Sequence, residues 1–168
     1  MSVNGKRTVF FWSGKLLIFL SILSLFMSFA KADIKIISGH SKNFTGVYLI
    51  ADIKDDVDCG EYTNETMYKG AETASAVITA ALILAAAGLL LPVFSWIPSL
   101  LAAGTMAAFG VLCRYANDEL SEIYTRKAIN LRPDSGAYIF MALALLSAVL
   151  TIADIIIRKR RKSKKVSA

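Results

Sequence analysis

Side chains that could carry catalysis are scarce in this sequence of 168 residues. It has one histidine, His40, and two cysteines, Cys59 and Cys113. His40 is alone in a polar segment and is predicted to be solvated rather than to act as a base or a metal ligand. The Gly-x-Ser-x-Gly, His-Glu-x-x-His and glycine-rich phosphate motifs do not occur in the sequence. We therefore expect no enzyme, and no cofactor or metal is predicted.

The two thiols raise the question of a disulfide bond. Cys113 is expected near the outer end of an apolar run, and a bridge to Cys59 would tie an outer loop to the helices. The alternative is a packed free thiol at Cys113, with Cys59 free or paired with another molecule. Both interpretations remain open, because sequence spacing does not tell whether the two Cα atoms lie within about 7 Å.

Asp154 is the one acidic residue well inside an apolar run. Arg158 follows it at the i+4 position on the same helix face, so an ion pair within the helix near the membrane surface is expected. A polar contact with a partner helix is the alternative for Asp154. A proton path would need a series of such groups and is not predicted.

Acidic residues also crowd into the first long polar segment. The block before Cys59 contains Asp55, Asp56 and Asp58. Such a block is usually only solvated. On an interaction surface it would favour cations or a basic partner, through a field screened within about 8 Å at physiological salt. These three residues and Asp154 are the candidates for contact with a partner.

The elements that carry these residues belong to a membrane protein. Hydrophobic residues make up 55% of the sequence and charged residues only 19%. Between Glu72 and Arg114 the only ionisable side chain is that of Cys113, and water would solvate such a stretch poorly. This composition excludes a disordered chain and a disulfide-stapled secreted mini-domain. It predicts an integral membrane protein.

Four apolar runs are predicted to cross the bilayer, each crossing needing about 20 residues of helix. They occupy about residues 10–31, 71–91, 97–116 and 136–157. Polar loops at 32–70 and 117–135 and a tail at 158–168 complete a single four-span domain. The connection from Pro92 to Pro98 is predicted to be a tight hairpin at the membrane surface.

The first run has two interpretations. Its basic start, its apolar core and the sequence Ala30-Lys31-Ala32 before Asp33 also describe a cleavable signal peptide. A retained span is favoured, because Lys15 can extend toward the membrane surface while nearby aromatic side chains anchor that end. Both interpretations place Asp33 outside.

Basic residues flank the predicted spans at both chain ends. Seven of the 19 lysines and arginines lie in the tail: Arg158, Lys159, Arg160, Arg161, Lys162, Lys164 and Lys165. The positive-inside rule predicts cytosolic termini, with both polar loops outside the plasma membrane. The tail either binds anionic inner-leaflet lipid or acts only as a topology signal. The net charge of +6 therefore predicts membrane lipid, and not nucleic acid, as a partner.

The first outer loop carries two further features. Asn43 and Asn64 begin Asn-x-Thr sequons and are predicted glycosylation sites. Residues 33–38 and 46–53 are rich in β-branched and aromatic side chains, so they are predicted to form a hairpin around the turn-prone segment between them. We expect a small antiparallel sheet of about two to four strands. The alternative is an irregular glycosylated loop.

Small residues recur four apart in the second and third runs. The pairs are Ala81 and Ala85, Ala103 and Ala107, and Gly104 and Ala108. In lipid, such positions let helix backbones approach closely. They are predicted to pack the bundle internally, and contact with another protein is the alternative.

This arrangement resembles the claudin and peripheral myelin protein/epithelial membrane protein superfamily. Gly46-Val47-Tyr48 is similar to the family's Gly-Leu-Trp tripeptide, Ala51 stands where the first loop cysteine would fall, and Cys59 lies close to the place of the second. The runs AETASAVITAAL and SGAYIFMALALL also resemble helices of that family. The resemblance implies a left-handed four-helix transmembrane bundle with a small extracellular antiparallel β-sheet.

The same resemblance implies a structural role in cell–cell adhesion, a paracellular barrier or membrane assembly, through the outer sheet and lateral helix contacts. The implied partners are membrane lipid and other membrane proteins, either further copies of the chain or a channel or receptor. One alternative is an auxiliary subunit that modulates a channel or receptor. Another is a small channel or transporter, which an inward face of Ala and Leu without a polar line disfavours.

Overall fold

The computed structural model describes residues 8–34, 40–51, 65–92, 94–123 and 129–166. Within these ranges the chain is mostly helical and has a three-stranded antiparallel sheet. The helices are α1 (Val9–Leu23), which a short 3-10 turn (Ser24–Phe26) extends, α2 (Gly46–Ala51), α3 (Glu65–Leu90), α4 (Trp96–Ile123) and α5 (Ser135–Val166). The strands are β1 (Ser28–Ile34), β2 (His40–Thr45) and β3 (Ile129–Pro133).

Within the described ranges, four helical segments are long and apolar enough to cross a bilayer: Val9–Phe26, Glu72–Leu90, Trp96–Asp118 and Ser135–Arg161. The predicted four-span architecture is confirmed at this level of length and composition. The first segment ends earlier than the predicted residue 31, because the chain becomes extended at Met27, with φ −83° and ψ 172°. β1 then begins at Ser28.

The four spanning helices form a closed ring. α1 packs against α5 and α3, and α4 packs against α3 and α5. Large apolar side chains such as Ile18, Ile78 and Phe140 fill the interior beside small ones. Many apolar side chains point outward instead, including Ile83 and Val149, which are 62% and 59% exposed. Lipid tails are as apolar as these side chains, so a bilayer accommodates this surface.

Two glycines let neighbouring helices approach closely. A Cβ atom on Gly14 of α1 would lie 2.9 Å from Thr151 Oγ1 and 3.2 Å from Ser147 O on α5. Ser147 Oγ donates to Gly14 O at 2.7 Å across the same seam. A Cβ atom on Gly88 of α3 would lie 2.8 Å from Ser99 Oγ on α4. In lipid, close packing and interhelical hydrogen bonds of this kind hold helices together.

The sheet has the strand order β2–β1–β3, and β1 pairs antiparallel with both neighbours. Lys31 of β1 lies opposite Asn43 of β2 and Arg132 of β3. Segments from both polar loops therefore meet in one sheet. We call the end of the bundle that carries it the sheet end, and the end where α5 passes Arg158 the basic end.

The predicted hairpin of residues 33–38 and 46–53 is wrong in its second strand. Residues 46–51 form α2, and the segment expected to be the turn forms β2. A Cβ atom on Gly46 would lie 2.7 Å from Leu25 Cδ2, and Leu49 is only 3% exposed, so α2 packs tightly on the bundle. Thr45 Oγ1 accepts a hydrogen bond from Tyr48 N at 3.2 Å, as an N-cap does. Burial and capping outweigh the local β propensity.

The third strand also differs from the expectation, which treated residues 117–135 only as a loop. Residues 129–133 form β3, because they pair with β1 from a distant part of the sequence. Residues 35–38 and 52–53, the remaining parts of the two predicted strands, lie outside the described residues.

Phe29 anchors the sheet in the bundle. Its side chain is fully buried, and its ring centroid lies 6.0 Å from that of Phe109 on α4. The ring of Phe140 on α5 lies 6.3 Å away in an edge-on arrangement. Between spanning helices, such packing stabilises through van der Waals contact of the rings. The start of β1 is therefore part of the bundle core.

Candidate functional site

Asn117 of α4 holds the free edge of β3. Its Nδ2 donates to Leu131 O and its Oδ1 accepts from Leu131 N, both at 2.6 Å. The side-chain amide thus imitates a neighbouring strand and satisfies backbone groups that a sheet edge leaves open. Through these two hydrogen bonds the sheet is fixed to α4.

Asp134 joins β3 to α5 and to β1. Its Oδ1 accepts from Ser135 N at 2.8 Å, and its Oδ2 accepts from Ser28 Oγ. Its own backbone N donates to Phe29 O at 2.9 Å. The Ser28 hydroxyl first, and then the Ser135 N–H, lower the pKa of Asp134 because both donate to the carboxylate. The carboxylate also stands at the positive end of the α5 dipole.

Charged side chains pair across the sheet. Asp33 Oδ2 lies 3.3 Å from Arg132 Nη2, and Asp33 Oδ1 lies 3.7 Å from Lys31 Nζ. All three side chains are substantially exposed, so water screens both pairs and their contribution to stability is small. The pairs orient the charged surface of the sheet rather than holding it in place.

β2 is the outward strand, and among the described residues it pairs only with β1. Its exposed side chains are those of Ser41, Lys42, Asn43 and Thr45. The rings of Phe44 and Tyr48 stack at 5.5 Å, and Lys42 Nζ lies 5.3 Å and 5.8 Å from their centroids. A cation over aromatic faces is a stabilising arrangement at an exposed site. This group of side chains is an ordered polar surface.

The predicted glycosylation site Asn43 lies on this strand and is exposed. Thr45, which completes its sequon, is also exposed, and its hydroxyl caps α2 through Tyr48 N. Such a position is compatible with a glycan on Asn43, which stays a prediction. The second predicted site, Asn64, lies outside the described residues.

At the basic end, Asp154 contacts both its own helix and the residue before α1. Its side chain is fully buried, and its Oδ2 lies 2.7 Å from Arg158 Nη2, which confirms the predicted i+4 pair. Its Oδ1 also accepts from Thr8 Oγ1 and, at 3.3 Å, from Thr8 N. Thr8 is the residue that precedes α1. Asp154 therefore caps the start of α1 from the neighbouring helix α5.

Lys15 caps another helix at the same end. Its Nζ donates to Gly88 O at 2.5 Å, Leu89 O at 2.7 Å and Leu91 O at 2.6 Å. These carbonyls are at the C-terminus of α3, where the helix dipole favours a cation. The ammonium also lies 5.4 Å from the ring centroid of Phe11. Lys15 was expected to extend toward the membrane surface, but in the structure it satisfies the end of α3.

The basic tail continues α5 as a helix to Val166. Arg158 is 22% exposed and engaged with Asp154, whereas Lys159, Arg160 and Arg161 are exposed. The structure does not describe the side chains of Lys162, Lys164 and Lys165. An unbroken helix carries the described basic side chains in fixed directions.

The predicted small-residue pairs divide into two groups. Ala81, Ala85 and Ala103 are buried in the core, as the internal-packing prediction requires. Gly104, Ala107 and Ala108 are exposed on the outer face of α4, and a Cβ atom added to Gly104 would meet nothing within 4 Å.

The remaining candidates contribute little to a site. Cys113 is a free thiol, 2% exposed in the core, while Cys59 lies outside the described residues. The acidic residues Asp55, Asp56 and Asp58 also lie outside them. In the described ranges, no group of three or more His, Cys, Asp or Glu side chains has an arrangement that could hold a metal ion.

Comparison with known proteins returned no family model, no curated protein and no solved structure that matches this chain. A function must therefore be argued from the two ends of the bundle and from the outer faces of its helices.

Proposed function

We propose that the protein is a claudin-like structural membrane protein that acts in cell–cell adhesion, in a paracellular barrier or in membrane assembly. The observation that carries the proposal is β2, an outward strand whose exposed polar side chains stand on a sheet fixed to four spanning helices. In this proposal the chain is in the plasma membrane with cytosolic termini, because its basic tail favours the inner side. The sheet then faces outward, toward a neighbouring cell or membrane protein.

The rigidity of the sheet supports this role. Phe29 is buried between helices, Asn117 is hydrogen-bonded to β3, and Asp134 links β3 to β1. A preformed surface loses little conformational entropy when it binds, so more of the contact energy contributes to affinity. The exposed Lys42 ammonium, which lies over the Phe44 and Tyr48 rings, is part of the surface that a partner would meet.

A charge-reversal pair tests the proposal. Lys42→Glu changes the sheet surface, whereas Lys159→Glu makes the same charge change on an exposed side chain at the basic end. We expect the wild type and Lys159→Glu to concentrate at contacts between cells that express only this protein, and Lys42→Glu to lose that enrichment at equal surface delivery. Equal enrichment of all three proteins would contradict a role for the sheet in adhesion.

A second candidate function is an auxiliary subunit of a channel or receptor, and the outer face of α4 favours it. Gly104, Ala107 and Ala108 form an open, small-residue surface that no part of the described chain covers. Such surfaces let a helix of another protein approach closely. In this role the protein would co-purify from native membrane with a larger membrane protein.

Two matched substitutions separate the second candidate from the first. Ala108→Leu fills the α4 surface, and Ala142→Leu adds the same volume to an exposed position on α5. We expect only Ala108→Leu to reduce co-purification of a channel or receptor after cross-linking. If both variants retain the partner, the α4 face does not carry an auxiliary function.

The bundle interior supports a structural role over the third possibility, a small channel or transporter. Among the described residues, Phe11, Ile18, Phe109 and Phe140 are buried at 0–2% exposure within the helix ring. Conduction needs a continuous polar or wettable path, and large apolar side chains of this kind obstruct one.

A further inference from the structure

The basic end of α5 combines an apolar stripe with a basic groove. Val149, Ile152 and Ile156 are exposed by 59%, 37% and 47% and point away from the bundle. Arg160 follows Ile156 by four residues, and at 100° per residue these four positions lie on one helix face. The face that meets lipid tails therefore runs directly into a guanidinium group.

A groove lies where the stripe ends. It has a volume of about 410 Å³ and is lined by Ile157, Arg160, Arg161 and Ser163. Both arginines are exposed and Ile157 is half-buried. The groove is thus lined by two planar cations and one apolar side chain, at the end of a helix segment that is apolar enough to cross a bilayer.

Arg158 and Lys159 differ from these two arginines. Arg158 is held by Asp154 at 2.7 Å, so its charge is already compensated. Lys159 is exposed but does not line the groove. Guanidinium binds phosphate oxygens through paired hydrogen bonds, which a lysine ammonium does not reproduce.

We propose that this groove binds the phosphate of an anionic phospholipid, whose acyl chains lie along the stripe of Val149, Ile152 and Ile156. The proposal goes beyond attraction of a basic tail to a charged membrane, because it names two arginines and one helix face. It is independent of the adhesion role, since it concerns the opposite end of the bundle.

Lipid retention by the detergent-purified full chain tests the proposal by native mass spectrometry. The probes are phosphatidylserine and zwitterionic phosphatidylcholine, and the variants are Arg160→Gln and Lys159→Gln, which each remove one exposed charge. We expect Arg160→Gln to weaken phosphatidylserine binding about tenfold, the effect of losing a charge-assisted hydrogen bond. Lys159→Gln should weaken it less than about twofold, and Arg160→Lys should give an intermediate loss.

Equal losses in Arg160→Gln and Lys159→Gln would overturn the proposal, because diffuse attraction treats all basic residues near the surface alike. Equal retention of phosphatidylcholine and phosphatidylserine by the wild type would also overturn it. Glycerophosphoserine, which has the same headgroup without acyl chains, separates a lipid from a soluble phosphate compound. If it displaces phosphatidylserine at equal concentration, the site recognises free phosphate and the role of the stripe is wrong. Unchanged melting temperatures show that the variants fold.

Discussion

The two ends of the bundle are held together by different chemistry. At the sheet end, the amide hydrogen bonds of Asn117, the hydrogen bonds to the Asp134 carboxylate and exposed ion pairs join segments from both loops. At the basic end, two charged side chains, Asp154 and Lys15, cap the ends of α1 and α3 from neighbouring helices. The sheet end therefore depends on many modest interactions, and the basic end on a few strong ones.

This difference bears on the first span. Cleavage before Asp33 would remove Thr8 and Lys15, and with them the donors to Asp154 Oδ1 and to the α3 carbonyls. It would also remove Phe29 from the core. Buried charges and carbonyls without partners are costly, particularly in lipid. The retained span stays a prediction, and these are the contacts that cleavage would break.

The largest effect is expected from Asp154→Ala. The substitution leaves Arg158 and the start of α1 without their shared acceptor, and loss of one partner of a buried ion pair costs about 3 kcal/mol. We expect a lower melting temperature in detergent and faster proteolysis near the N-terminus. Asp154→Asn keeps an acceptor for Thr8 and should lose less. If Asp154→Ala melts at the wild-type temperature, the basic end does not depend on the buried contacts of Asp154.

The next effect comes from the seam between α1 and α5. Leucine at position 14 would place its Cβ 2.9 Å from Thr151 Oγ1 and 3.2 Å from Ser147 O, and overpacking of this kind costs about 2 kcal/mol. Gly104→Leu is the matched control, because nothing lies within 4 Å of its added Cβ. Thermal denaturation should separate the two variants. If both variants lose a similar amount of melting temperature, close packing between α1 and α5 at Gly14 does not contribute more to stability than an exposed position does.

The parts of this fold that sequence predicted are local ones. Span length and apolar composition are properties of single segments, and the Asp154–Arg158 pair joins residues one helix turn apart. The contacts that the sequence did not indicate are distant: Thr8 and Asp154 are 146 residues apart, and Lys15 and Leu91 are 76 apart. No local pattern specifies such partners.

Residues 46–51 were predicted to form a strand but form a helix, and the reason is again contact with distant segments. The β-branched and aromatic side chains after Gly46 favour a strand locally. Contact with Leu25 and burial of Leu49 depend on where the bundle lies, and they favour a helix. β3 was missed because its pairing with β1 and its contact with Asn117 both come from other segments.

A smaller effect is expected at the sheet end from Asn117→Ala. It removes two hydrogen bonds to Leu131, which together contribute about 1–2 kcal/mol. The amide of Leu131 should exchange with solvent faster, while the contacts of α1 at the basic end stay protected. Ser41→Ala, on the exposed strand β2, is the control and should leave that amide unchanged. Slow exchange in Asn117→Ala would show that the packing of the sheet alone holds β3.

The smallest effect is a pH dependence of the sheet end. Hydrogen bonds from Ser28 and then Ser135 hold the pKa of Asp134 below its ordinary value of 3.8. Because the folded-state pKa is the lower one, the unfolded state binds the proton first as the pH falls. The stabilisation is complete above the ordinary pKa and is lost as the pH falls through the folded-state pKa. Asp134→Asn should therefore be less stable than the wild type near neutral pH, and the difference in melting temperature should shrink in acid. If the difference in melting temperature between the two proteins stays constant across that pH range, the charge of Asp134 does not contribute to the stability of the junction between β3 and α5.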